Sequence, residues 1–178
     1  MFHRSERLFL RPAFAEDWRA VLAGVGRCEV VRNLARAPWP YGEREAREFV
    51  ARPQDVRYPN FLVALPEAEG APVIGSAGLA PRDGETELGY WIACNHWGRG
   101  YATEAARAVI QVARTLGHRR LVAGHFLDNP ASGRVLRKLG FASTGVVTER
   151  WSEGRGEAAD CAEYALELDG GEGRRLAA

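Results

Sequence analysis

The segment Trp97-Gly98-Arg99-Gly100-Tyr101-Ala102-Thr103-Glu104-Ala105 holds residue types that can receive an anion through the main chain. It lies between an apolar run ending Tyr90-Trp91-Ile92-Ala93 and a helical pattern running to Leu116. Two glycines separated by one residue let the backbone turn sharply where a strand gives way to a helix, and leave N–H groups with no side chain over them. The helix that follows adds roughly half a positive elementary charge at its N-terminus, which favours phosphate there. The same glycine pair also reads as turn punctuation ahead of an ordinary helix. It is neither familiar phosphate loop, since a Walker loop requires Gly-Lys-Ser/Thr after four intervening residues and a dinucleotide fingerprint a third glycine three residues after the second. Arg99 supplies a guanidinium that matches phosphate geometry, and reads equally as a solvated loop side chain.

The elements that must hold this turn follow from spacing. Phe61 to Leu65 is apolar throughout, as in a strand covered on both faces, and Val73 to Leu79 returns as the next strand. The Pro81-Arg82-Asp83-Gly84 turn leads into Glu85 to Ala93, predicting an antiparallel meander. In its last strand Glu87, Gly89 and Trp91 share one face, and Leu88, Tyr90 and Ile92 the other. Beyond the turn, Ala105, Ala106, Val109, Ile110, Val112, Ala113 and Leu116 form one helical stripe stopped by Gly117. Leu121 to Phe126 is then a strand parallel to the one before the turn, because a helix separates them. Asn129 caps a further helix with Pro130 at its first position, ending at Gly140. Phe141 to about Arg150 and Asp160 to Leu168 form a hairpin. Upstream, Leu8 to Pro12 reads as a short strand, Ala15 to Gly24 and Glu43 to about Ala51 as helices. Trp39 and Tyr41 in the rigid loop between them either line a pocket or cap a core edge.

With 178 residues, 46% hydrophobic and 26% charged, the chain reads as one α/β domain over residues 1–169 with a disordered tail at 170–178. A net charge of +1, from 24 basic and 23 acidic residues spread along the chain, leaves no electrostatic footprint for nucleic acid or an anionic membrane. No 18-residue apolar run and no signal-peptide core occur, so a cytoplasmic protein is expected. Cys28, Cys94 and Cys161 are odd in number and far apart, and the four histidines lack metal-ligand spacing, so neither a disulfide framework nor a metal site is expected.

The element order, the motif from Trp97 to Ala105, and Asn129-Pro130-Ala131-Ser132 through Lys138-Leu139-Gly140-Phe141 together resemble the GCN5-related N-acetyltransferase (GNAT) superfamily. Within it the chain looks most like the ribosomal-protein alanine acetyltransferases RimJ and RimL, over Arg7 to about Leu168. The resemblance implies a mixed, mostly antiparallel sheet with a splayed parallel strand pair. It implies acetyl-CoA as co-substrate, its pyrophosphate held by the backbone of Trp97, Gly98, Arg99, Gly100, Tyr101, Ala102 and Thr103. Trp97 stands where the signature has Gln or Arg, which matters little to a backbone site. The pantetheine arm would pair as an extra strand near Ile92, Ala93 and Cys94, in a cleft between Trp91 and His125, with Asn129, Ser132 and Lys138 completing the cofactor contacts. Local stability alone also accounts for much of the second motif, because Asn129 is an excellent N-cap.

The implied reaction is attack of a neutral amine on a thioester. A protein N-terminal amine, with a pKa of about 8 against about 10.4 for lysine, needs less help from a base. Glu87 is the candidate base, directly or through water, with a solvated strand residue as the alternative reading. Ser132 is the candidate donor to the departing sulfur, since the tyrosine that often serves elsewhere in the superfamily is absent between Ser132 and Phe141. An N–H near Ala93 or Cys94 would polarise the carbonyl. Cys94 itself has no basic partner and reads as a small packed residue. Trp39, Tyr41, Glu87, Trp91 and His125 are the acceptor-side candidates. The expected acceptor is a protein N-terminus; a small amine (aminoglycoside, polyamine or amino acid) and a catalytically silent acyl-CoA sensor are the alternatives. Acidic residues converging at the mouth, from Glu43, Glu45, Glu48 and Glu153, would favour a cationic small molecule. A homodimer would be unsurprising for the family.

Overall fold

The computed structural model describes residues 1–168, and the expectation for the tail at 170–178 lies outside them. Eight strands form one sheet in the order β1-β2-β3-β4-β5-β6-β8-β7, all antiparallel neighbours except β5 and β6. The strands are β1 (His3–Arg4), β2 (Phe9–Arg11), β3 (Asn60–Ala64), β4 (Val73–Arg82), β5 (Glu85–Ile92), β6 (Arg120–Phe126), β7 (Ala142–Ser152) and β8 (Glu157–Glu167). The helices are α1 (Trp18–Val25), α2 (Cys28–Val31), α3 (Glu43–Val50), α4 (Tyr101–Thr115) and α5 (Pro130–Lys138). The mixed sheet with a parallel pair is the expected architecture; β1 and the four-residue α2 are additions too short for a sequence period to announce.

Alternation along β3 shows why the sheet is covered twice. Phe61 and Val63 pack into the core beneath α4, whereas Leu62 packs with Trp18, Val21, Val25, Val30 and Val31 from α1 and α2. The stripe on α4 is buried as expected, with Ala105, Ala106, Val109, Ile110, Val112 and Ala113 at 5% exposure or less. Each fully buried valine or isoleucine there contributes about 1.5–3 kcal/mol of burial, so α4 is the anchor of that face. The β4–β5 turn narrows to Asp83-Gly84, both at positive φ, and β4 extends to Arg82, beyond the Leu79 expected.

The parallel pair is nearly unzipped. Glu87 and Val122 are the only register partners of β5 and β6, so the strands part after one bridge and leave a wedge. Over that wedge lies the irregular chain from residue 33 to 42. The β7–β8 turn pins it there, Ser152 Oγ donating to the Leu34 carbonyl at 2.9 Å and the Glu153 N–H to the Ala35 carbonyl at 2.9 Å.

Candidate active site

At the start of α4, Gly98 and Gly100 adopt φ of 75° and 82°, conformations a side chain would strain. No amide N–H from Gly98 to Thr103 has a hydrogen-bond acceptor among the described residues, the helical ladder beginning with Glu104 N–H on the Gly100 carbonyl. These donors and the dipole of the 15-residue helix behind them are a combination able to receive an anion. Trp97 closes the preceding 3-10 turn, its indole N–H donating to the Ile92 carbonyl at 2.6 Å. Arg7, which no spacing singled out, braces the other side. Its Nη1 donates to the Arg99 carbonyl at 3.1 Å, its Nε to Glu104 at 2.8 Å, and its guanidinium lies over Tyr101. Ser5 and the Arg7 N–H also donate to Glu104, holding that carboxylate below its ordinary pKa despite partial burial.

The wedge opens into a cavity of about 410 Å³ that Tyr90, Trp91, His125, Asn129 and Ser132 all line. The Ala93 N–H donates to the Ile74 carbonyl of β4 at 2.8 Å, which sets the phase of β5. Alternation therefore turns the main-chain groups of Tyr90 and Ile92 toward the gap and those of Trp91 and Ala93 toward β4. This corrects the expected pairing segment. Ala93 cannot offer its N–H to an arm in the wedge, and one lone pair of the Ile92 carbonyl is taken by Trp97. Cys94 is half-buried and packs against the α1 side.

Ser132 sits in the first turn of α5, its N–H donating to the Asn129 side chain at 3.3 Å. Its hydroxyl lies 2.8 Å from that of Tyr90, and either can donate. Burial pushes the Tyr90 pKa up to about 12, opposed by the bond to Ser132, so the phenol keeps its proton at neutral pH. The tyrosine hydroxyl beside Ser132 thus comes from β5 rather than from α5.

Glu87 is neither solvated nor free. It is 6% exposed, and Arg150 bonds both of its oxygens, at 2.6 and 3.1 Å. Arg36 donates to one oxygen at 3.0 Å and Arg82 to the other at 3.3 Å. Arg82 in turn forks onto Glu163, which Thr148 also bonds. Burial raises the Glu87 pKa, but hydrogen bonding and charge from Arg150, then the charges of Arg82 and Arg36, outweigh it and leave the carboxyl below its ordinary value. A carboxylate so neutralised is a poor proton acceptor, and the expected base becomes an ion-pair anchor.

The GNAT acetyltransferase domain model matches residues 7–142, three-quarters of the chain. The chain belongs to the GNAT acetyltransferase family. A relative in Bacillus subtilis (strain 168), the uncharacterized N-acetyltransferase YoaA, is 30% identical over 152 residues, covering 82% of this chain and 85% of that one. A solved GNAT-family acetyltransferase from Bacillus anthracis superposes with a TM-score of 0.81 at 26% identity, over 94% and 98% of the two chains. At 20% identity the same fold extends to RimL, a ribosomal L7/L12 alpha-N-protein acetyltransferase solved with coenzyme A, with a TM-score of 0.73 over 96% and 99%.

This GNAT chain is therefore an acetyltransferase, and its remaining candidate residues separate clearly. Tyr41 and Trp91 line the cavity; Trp39 does not, standing 47% exposed beside a cis bond to Pro40. The His125 ring packs against Tyr164 and pairs its Nδ1 with the Phe126 carbonyl at 2.9 Å. Lys138 is exposed in the last turn of α5, roughly 13 Å along the helix from Asn129, away from the hydroxyl pair. Of the four acidic candidates for the mouth, Glu45 and Glu48 line the cavity, Glu43 pairs with Arg47, and Glu153 is not among the lining residues. No group of three or more His, Cys, Asp or Glu side chains among the described residues is placed to hold a metal, and no helix there is long and apolar enough to cross a membrane.

Proposed function

We propose that this GNAT chain transfers an acetyl group from acetyl-CoA to a primary amine, first a protein or peptide N-terminal amine, by direct attack on the thioester. The observation that carries the reading is the row of unaccepted amides from Gly98 to Thr103, placed on the segment that follows the unzipped end of β5. Those donors fit a pyrophosphate, and the exposed backbone of Tyr90 and Ile92 fits an arm lying along β5 toward the Tyr90–Ser132 hydroxyls.

Bound acetyl-CoA supplies an activated acetyl group and a thiol whose pKa of about 8.5 makes the thiolate a tolerable leaving group. The Cys94 N–H, which has no acceptor among the described residues, is the remaining candidate to polarise the carbonyl. As the amine nitrogen bonds to the carbonyl carbon and the C–S bond breaks, the nitrogen releases its extra proton to water and the sulfur leaves as thiolate, hydrogen-bonded by the Ser132 hydroxyl, which is itself backed by the Tyr90 phenol. No free base is needed for an N-terminal amine, which loses its proton to water near pH 8. The RimL likeness supports an N-terminal acceptor.

Free-thiol release from acetyl-CoA is the test, with short peptides beside aminoglycosides, polyamines and free amino acids, in the parent and in Ser132→Ala. Peptide-dependent release, lowered about tenfold in the variant with acetyl-CoA affinity unchanged, is expected. Release with small amines alone would move the acceptor class, and acetyl-CoA binding without any release would leave an acyl-CoA sensor.

A further inference from the structure

The acceptor side of the cavity carries more positive than negative charge, which the transfer chemistry does not require. Four arginines line it, Arg36, Arg44, Arg52 and Arg150, against three carboxylates, Glu45, Glu48 and Glu87. Two of the carboxylates, Glu45 and Glu87, are bonded on both oxygens, and Glu48 meets only Arg44. Arg44 bonds Glu45 at 2.6 Å and approaches Glu48 at 3.8 Å, while the other Glu45 oxygen accepts the Gly42 N–H at 2.9 Å. Deeper in, Arg150 occupies both oxygens of Glu87. Arg36 is left with a single hydrogen bond to a carboxylate that two other arginines share, and its side chain is 61% exposed. Arg52 stacks on Phe49 and has no carboxylate within ion-pair distance among the described residues.

Arg36 is not a loose surface side chain. The carbonyls of the two preceding residues, Leu34 and Ala35, are bonded to the β7–β8 turn, and its own bond to Glu87 at 3.0 Å places the guanidinium on the cavity wall. A planar fork with four unused donors, in a site where Glu45 and Glu87 are already bonded on both oxygens, matches a carboxylate or phosphate oxygen pair. An acceptor rich in ammonium groups would meet like charge there.

We infer that the amine acceptor also carries an anionic group, a carboxylate or a phosphate, received by Arg36 with support from Arg52 while the amine faces the Tyr90–Ser132 hydroxyls. This rests on the amine-acceptor reading above and narrows it. Glu87, which marks the arginine cluster, precedes Tyr90 by three residues on β5, about 10 Å along the strand, and lies on the opposite face. The anion must therefore stand several bonds from the amine. An acidic or phosphorylated side chain two or three residues into a peptide spans that gap; the α-carboxylate of a free amino acid, two bonds from its nitrogen, does not.

The test compares initial rates of thiol release for C-terminally amidated Ala-Asp-Glu-Ala, Ala-Ser-phosphoSer-Ala, Ala-Asn-Gln-Ala and Ala-Lys-Lys-Ala, with spermidine alongside. At least one anionic peptide should exceed the neutral one about tenfold in kcat/KM, and the two anionic arms separate carboxylate from phosphate. Arg36→Gln should remove most of that factor and leave the KM for acetyl-CoA unchanged, and added salt should shrink it because the guanidinium is exposed. Equal or faster turnover of the lysine peptide or spermidine, or a charge preference that survives in Arg36→Gln, would overturn the inference. Should no acceptor turn over, calorimetry of the same peptides against the CoA-saturated protein decides. Tighter binding of an anionic peptide, lost in Arg36→Gln, supports the anion site while refuting transfer; indifference to peptide charge overturns the site.

Discussion

At the N-terminus of α4 the groups offered to an anion are main-chain amides on one continuous segment, from Gly98 to Thr103. At Glu87 the anion belongs to the chain itself and lies beneath guanidinium groups brought from the chain near residue 36, from β4 and from β7. The first arrangement depends on backbone shape, and Trp97 contributes to it by closing the preceding 3-10 turn through its indole. The second needs particular side chains from distant segments, and removing one strands the others. Backbone sites tolerate sequence drift that buried ion clusters do not.

The largest effect should come from breaking the ion cluster. Glu87→Gln leaves Arg150, Arg82 and Arg36 facing one another without their shared carboxylate, and is expected to cost about 3 kcal/mol of stability and roughly 6–12 °C in Tm. Because the folded-state pKa of Glu87 is lowered, its contribution is complete above the unfolded carboxyl range of about pH 4–5 and is lost as pH falls through the folded value. The gap between variant and parent in thermal melts should thus be full at pH 7 and narrow in acid. A Tm within about 2 °C of the parent at pH 7 would mean that solvent, rather than Glu87, compensates the arginines.

Next comes the turn. Gly100→Val places a β-branched residue at φ 82°, a strain of about 1–3 kcal/mol, with its Cβ 3.5 Å from the Arg7 guanidinium. Acetyl-CoA should bind roughly 30-fold more weakly in calorimetry. Unchanged affinity would remove the turn as the anion receptor. The smallest effect sharpens the contrast: Arg99→Ala, which deletes the exposed side chain and keeps every amide, should change the same affinity less than about threefold at physiological salt. A tenfold loss would show that the site works through a side chain after all.

Local spacing alone determined the glycine turn ahead of α4, the buried stripe of α4, the Asn129 cap and the meander that ends in β5. Each of those follows from interactions within a few residues, or from the period of one element, which a linear sequence displays directly. Alternation also assigned Glu87 and Tyr90 to opposite faces of β5, but a face does not name its partners. Tyr90 meets Ser132 across 42 residues, Arg7 meets Glu104 across 97, and Glu87 meets Arg150 across 63. Those contacts exist only because the sheet order sets β5 beside β6, and β6 beside the β7–β8 hairpin, while the chain near residue 36 is pinned above. Tertiary structure therefore decided that Glu87 is an anchor and that a tyrosine backs Ser132. A carboxylate's role depends on the charges packed against it, and those are set by which segments meet in space.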